Sequence, residues 1–186
     1  ESQETKSPAE IERMRRAVAI TGQGVIEAMR LAAPGLYEYN LEAAVNYVHR
    51  ANGAKATFNI IGAGPNSVIL HHRSNDRRLE AGDLAVIDVG CAYDGFDSDI
   101  TRTIPVSGKF TPEQKKIYEI VLDVNKKMIA MAKPGVDSQA LDKIAHEMIE
   151  KAGYGKYFNH GLGHPLSGGT GMVLTPGSII TIEPGI

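Results

Sequence analysis

The sequence predicts an α/β protein made of two related halves. Three observations predict it. The helix-breaking pair Pro34-Gly35 recurs as Pro134-Gly135, an offset of 100 residues, and the same offset relates Gly53 to Gly153, Leu41 to Leu141, Ala44 to Ile144, Val45 to Ala145 and Val48 to Met148. Hydrophobic spacing turns from helical to strand-like after Gly53. The 186 residues are 42% apolar and 23% charged, which is enough to bury a full core without disulfide or metal staples. A duplicated α/β half of this kind packs its sheets around a central site.

The elements follow in order. Ser7-Pro8-Ala9-Glu10 is a capping-box start with Pro at the first helical position. Ile11, Met14, Val18, Val25, Ile26 and Met29 continue at helical spacing; Gly22 and Gly24 weaken the middle, and Pro34-Gly35 stops the helix. A second helix runs from near Asn40 to Gly53, with Leu41, Ala44, Val45 and Val48 on its apolar face. Thr57–Ile61 and Val68–His71 read as short strands joined by the loop Gly62-Ala63-Gly64-Pro65-Asn66. Leu84–Asp88 is a buried strand, and Ile100–Val106 is its return across a turn near Tyr93-Asp94-Gly95. Thr111-Pro112-Glu113-Gln114 opens a third helix, which ends at Pro134-Gly135, and a fourth spans Ser138 to Gly153. A Gly-rich loop and a final apolar strand, Ile179–Ile186, complete the chain.

Several classes are excluded. A net charge of −2 supplies no general attraction to nucleic acid or an anionic membrane. The longest apolar run, Met128–Ala132, is far too short to span a bilayer. One cysteine, Cys91, rules out a disulfide framework and any CxxC metal site, and reads as a packing residue. The chain opens on Glu1 and stops within its last strand, so a fragment at both ends is expected. No signal-peptide pattern opens it, and a cytoplasmic homo-oligomer is expected, with secretion left open.

Three segments hold candidate chemistry. In Ile87-Asp88-Val89-Gly90, Asp88 interrupts an apolar strand, where an unpaired carboxylate is costly. Across the hairpin, Asp99 falls on the same face, directly opposed or diagonal. Two such carboxylates repel unless a cation lies between them, and hard oxygen donors suit Mn²⁺, Mg²⁺ or Ca²⁺. The competing reading is a loop-capping Asp or a pair with Arg102; Asp97 shares the face of Asp99, and periodicity does not choose between them. In Asn159-His160-Gly161-Leu162-Gly163-His164-Pro165 the glycines and proline argue against a helix, yet an extended segment also sets His160 and His164 on one face. The alternative is a glycine loop with incidental histidines. Glu183 ends the apolar run Ile179–Ile182, where a carboxylate needs a partner, or is an ordinary strand-end acid. His71-His72 lies beside a polar loop, with one ring toward a site and the other toward solvent, or is a surface pair; His49 and His146 read as solvated or capping residues. Together, three carboxylates and one or two imidazoles suit one or two metal ions and metal-assisted hydrolysis of an amide or ester.

These segments, in their order, resemble the catalytic domain of the Xaa-Pro aminopeptidases and prolidases. The resemblance rests on Ile69-Leu70-His71, Gly82-Asp83-Leu84, Asp88-Val89-Gly90, Ser98-Asp99-Ile100-Thr101-Arg102-Thr103, Gly108-Lys109-Phe110-Thr111, His160-Gly161-Leu162-Gly163-His164 and Ile182-Glu183-Pro184-Gly185. It covers nearly the whole chain and implies a pita-bread fold over residues 1–186, two pseudo-symmetric α/β halves around a metal site. It implies that Asp88, Asp99, His164 and Glu183 are metal ligands for two divalent ions, manganese first, with cobalt or zinc as substitutes. That choice favours Asp99 over Asp97. It implies that His71 and His160 contact the substrate and assist proton movement, and that Glu183 takes a proton from a metal-activated hydroxide attacking the carbonyl before Pro. The implied partner is a peptide with Pro second; the alternatives are a dipeptide-specific prolidase, another pita-bread aminopeptidase, or a non-catalytic pita-bread module that binds peptide or protein.

The sequence also departs from that family. Gly171 stands where the family has another His, the stretch between His164 and Glu183 is about ten residues short around Ser167–Gly171, and neither the family's N-terminal domain nor its C-terminal strands with a further Glu ligand are present. A chain truly ending here would bind the second metal poorly and be inactive or nearly so.

Overall fold

The computed structural model describes residues 5–166, 169 and 171–186. The expected join at Ser167–Gly171 therefore lies partly outside the described residues, at Ser167, Gly168 and Thr170. The chain divides into two compact units: Ala9–Thr111, here the N-terminal unit, and Pro112–Ile186 with the segment up to Pro8, the C-terminal unit.

The N-terminal unit opens with α1 (Pro8–Leu31), starting where the capping box predicts. Gly24 does not break it. A Cβ there would lie 3.3 Å from Val45, so the missing side chain lets α1 approach α2 (Glu38–Ala51) closely. The strands are β1 (Lys55–Ala63), β2 (Leu84–Tyr93), β3 (Phe96–Asp97) and β4 (Ile100–Pro105). β2 pairs antiparallel with all three others. Its Ala85, Ile87 and Val89 point into a core with Val25, Ala28, Leu41, Val45 and Ile61. Asp94 and Gly95 both have positive φ, 49° and 80°, the mirror-image turn that suits a two-residue hairpin.

The strand expected at Val68–His71 does not form. Pro65 sits in the first turn of a 3₁₀ helix, Gly64–Val68, which Ser67 closes by donating its hydroxyl to the Gly64 carbonyl at 2.6 Å. Proline preset the turn, and Val68, Ile69 and Leu70 are left exposed.

The C-terminal unit contains α3 (Pro112–Met131) and α4 (Ser138–Lys151), the latter capped by Asp137, whose carboxylate accepts from Gln139 N–H at 2.9 Å. Val124, Met128, Leu141, Ala145, Ile149, Phe158, Leu162 and Leu174 form its core. The final strand is not continuous; residues near Ile180 make an isolated bridge to Pro165. Thr181 N–H donates to His164 O at 2.8 Å, but His164 N–H donates back to the Thr181 hydroxyl, not to its carbonyl, which breaks the ladder.

The duplicated unit extends to single hydrogen bonds. Gly35 N–H donates to Leu79 O at 2.8 Å, and Leu79 N–H to Leu36 O at 2.7 Å. In the other unit Gly135 N–H donates to Leu174 O at 2.7 Å, and Leu174 N–H to Val136 O at 2.8 Å. Gly35 and Gly135 have φ of 96° and 90°, which is why glycine follows each proline.

His49 is not solvated, as the sequence suggested, but fully buried. Its Nε2 lies 3.3 Å from the Thr21 hydroxyl, which is 2.7 Å from the Ser98 hydroxyl. Thr21 also donates to Cys91, the buried packing residue expected. Burial holds the His49 pKa below the ordinary imidazole value. The unfolded chain therefore binds the proton first as pH falls. The contribution of His49 is intact above about pH 6.5 and is lost below it, toward its lower folded-state pKa. Urea midpoints measured between pH 7.5 and 5 should fall more steeply for the parent than for His49→Phe; equal slopes would refute this.

Candidate metal centre

The N-terminal unit holds two of the candidate carboxylates. β4 pairs with β2 so that Asp88 faces Thr101. Asp99 lies two residues from Thr101, so the two acids are diagonal neighbours, one of the two registers expected. Asp88 is half-buried on the face of β2 opposite Ile87 and Val89, and accepts the Thr101 hydroxyl at 2.9 Å. Ser98 turns inward and anchors its neighbour Asp99: its hydroxyl accepts from Cys91 N–H at 3.0 Å. The close packing of Ser98 O over Gly90 leaves no room for a Cβ at that glycine. Asp99 is half-buried and Asp97 exposed.

The C-terminal unit holds a candidate imidazole and a candidate carboxylate. His164 Nδ1 lies 3.1 Å from Pro165 O, an oxygen that can only accept, so Nδ1 carries a proton and Nε2 is turned toward Glu183. His164 Nε2 is 3.3 Å from Glu183 Oε1, and the side chains are 48% and 31% exposed. Two donors so placed suit a shared cation. Thr181, which the sequence reading passed over, organises both: its hydroxyl donates to Glu183 Oε1 at 2.7 Å and accepts from His164 N–H at 2.9 Å. Its only signal was its place two residues before Glu183.

The other expected residues lie as follows. His160 Nδ1 is 2.8 Å from Gly161 O, which leaves Nε2 as the acceptor, and a Cβ at Gly185 would come within 2.8 Å of that atom. His160 thus stands beside the Glu183-Pro184-Gly185 segment. His71 is exposed, while its neighbour His72 is buried against Glu38 at 2.9 Å. Gly171, at the position of the family's additional His, has φ of 62°, and a Cβ there would lie 2.7 Å from Gln139 Nε2.

Glu38 was not foreseen. It is fully buried, and its carboxylate accepts from Ala63 N–H at 2.8 Å, Asn66 Nδ2 at 3.0 Å, His72 Nε2 at 2.9 Å and Arg77 N–H at 3.1 Å. One side chain therefore ties both ends of the segment that includes His71 to the start of α2.

The chain is similar to known proteins along nearly its whole length. Residues 12–186 match the model of metallopeptidase family M24. The chain is 43% identical over 197 residues to a Xaa-Pro dipeptidase of Pyrococcus horikoshii, covering 97% of this chain and 55% of that protein. It is 36% identical over 211 residues to a Xaa-Pro aminopeptidase of Escherichia coli, covering 97% and 48%. Both matched stretches are longer than the 186 residues of this chain, so these relatives hold extra residues inside the match. The prolidase of Pyrococcus furiosus superposes with a TM-score of 0.92 at 42% identity, covering 98% of this chain and 57% of that one. A zinc-substituted E. coli aminopeptidase P in complex with product also gives 0.92, at 34% identity, covering 99% and 49%. The chain spans about half the length of the curated relatives it matches. Its fold is the α/β pita-bread fold of these enzymes. On a family model spanning nearly its full length and relatives above 40% identity, this chain belongs to metallopeptidase family M24.

Proposed function

We propose that the protein is a metal-dependent aminopeptidase that releases the N-terminal residue from peptides whose second residue is Pro. The observation that carries this reading is the His164–Glu183 pair, organised by Thr181, in a chain whose relatives are named for Xaa-Pro bonds. The donors fit hard or borderline divalent ions: His164 exposes Nε2, Glu183 and the hairpin acids Asp88 and Asp99 supply oxygen. We assign these four residues to a centre for two ions, manganese first, with cobalt or zinc as substitutes. The chemistry such ions supply when bound is Lewis acidity toward the carbonyl and a lowered pKa for water.

The chain's own residues do the rest. Thr181 fixes the Glu183 carboxylate, which takes the proton of the attacking water. His160, with its proton on Nδ1, offers Nε2 to the substrate. We assign substrate contact to His71 as well. A dipeptidase is the second reading, favoured by the higher identity to the Pyrococcus dipeptidases, 43% and 42%.

The test incubates the full-length, manganese-loaded protein with Ala-Pro and Ala-Pro-Ala and follows release of Ala by mass spectrometry. Cleavage of the tripeptide is expected; cleavage of Ala-Pro alone establishes the dipeptidase. A protein that binds no transition metal and cleaves neither is a peptide- or protein-binding module, and this reading falls.

A further inference from the structure

In the C-terminal unit a chain of ring contacts leads from α4 to His160. Asp142 and His146 lie one turn apart on that helix. The His146 ring stacks on Phe158, with centroids 4.0 Å apart and planes 10° from parallel. Phe158 is buried, and its ring meets His160 edge to face, with centroids 5.0 Å apart at 81°. Gly185 also lies against His160, where a Cβ would come within 2.8 Å of Nε2. The His160 ring thus meets the Phe158 ring and the Gly185 backbone, and its Nδ1 lies 2.8 Å from the Gly161 carbonyl, which accepts its proton.

Asp142 secures this arrangement at two points. Its Oδ1 accepts Leu162 N–H at 2.6 Å, which fixes the backbone two residues beyond His160. Its carbonyl lies 3.0 Å from His146 Nδ1, and its carboxylate 3.5 Å away. The sequence spacing explains the reach: residues four apart on a helix share a face, so the acid and the imidazole turn toward the same loop.

We propose that Asp142 and His146 are positioning residues for His160. Through Phe158, His146 sets the plane of the ring; through Leu162, Asp142 sets the path of the backbone behind it. Their contacts run to Phe158, to Leu162 and to each other. The inference rests on the reading that His160 meets the substrate.

The test has two readouts on the ¹⁵N-labelled full-length protein. Long-range ¹H–¹⁵N spectra of the imidazoles report the His160 tautomer without metal or substrate, with His160→Gln identifying its signals. The parent should show a single Nδ1–H form. His146→Ala should give averaged His160 shifts and lower kcat for Ala-Pro-Ala by roughly 10- to 100-fold, the scale of a misplaced catalytic group, with manganese affinity unchanged. His146→Phe, which keeps the stacking ring, should restore both. Should the alanine variant fail to fold, His146→Leu makes the same comparison. Unchanged His160 signals in a folded His146→Ala or His146→Leu protein overturn the proposal, whatever the activity does. Shifted signals in a protein that cleaves no Xaa-Pro peptide sink the hydrolase reading and leave the positioning of His160 supported.

Discussion

Asp99→Ala should eliminate measurable manganese binding and, with it, peptide hydrolysis. The residue stands diagonal to Asp88 on one face of the β2–β4 hairpin, so its removal deletes one of the two acidic donors of the N-terminal unit. Losses of outer hydrogen-bond partners cost about 10- to 100-fold in metal affinity, and loss of a ligand exceeds that range. Asp97→Ala is the matched control. Asp97 is exposed and pairs with Ala92 in the short strand β3, so its removal should leave affinity within a few-fold of the parent. Isothermal titration with Mn²⁺ decides: if Asp99→Ala keeps affinity within about tenfold of the parent, below the ligand-loss scale, the ligand assignment is wrong. Folding should be little affected, because the Ser98 anchor to Cys91 remains.

Glu38→Ala should be among the most destabilising substitutions in the chain, by about 3–5 kcal/mol, since each buried group left unpaired costs about 1–3 kcal/mol. Truncation leaves the buried His72 ring, two backbone N–H groups and the Asn66 amide without their common acceptor. Urea denaturation reads the loss; a change below about 1 kcal/mol would refute the clamp, since ordinary surface changes stay within about half of that. Amide exchange should rise from Gly64 to Arg77 before it rises elsewhere. The acid sensitivity has a definite sign. Burial raises the Glu38 pKa, but the hydrogen bonds from Ala63, His72, Asn66 and Arg77 outweigh it and leave the value lowered. The stabilisation is therefore present above the ordinary carboxylate pKa and is lost as pH falls through the lower folded-state value.

Much of this architecture was legible in the residues. The capping box at Ser7, both Pro-Gly stops and the turn at Asp94-Gly95 are local signals, and each sits where the structure uses it. The candidate acids and histidines were legible as interruptions of apolar or glycine-rich runs. The errors share a physical cause. Val68–His71 read as a strand because its residues are β-prone, but strand pairing is non-local, and Pro65 with Ser67 closed a turn first. The Ile179–Ile186 run was apolar enough for a strand, and a single hydroxyl, Thr181, took the bond its ladder needed. Glu38, His49 and Asp142 carried no sequence mark, and Thr181 only its place before Glu183, because their roles depend on partners 17 to 39 residues away.

The repeated docking of Leu79 on Gly35 and of Leu174 on Gly135 creates a hazard during synthesis. A nascent chain holds two cradles with the same hydrogen-bond pattern, and either could receive the wrong returning segment, the exchange failure characteristic of repetitive proteins. What tells the cradles apart is the first residue of each second helix. Glu38 accepts from Arg77 N–H, whereas Ser138 accepts from Met172 N–H with a short hydroxyl. A carboxylate that collects four donors and a hydroxyl that collects one cannot trade partners without orphaning buried groups. One position in each half thus makes two otherwise matching cradles chemically distinct.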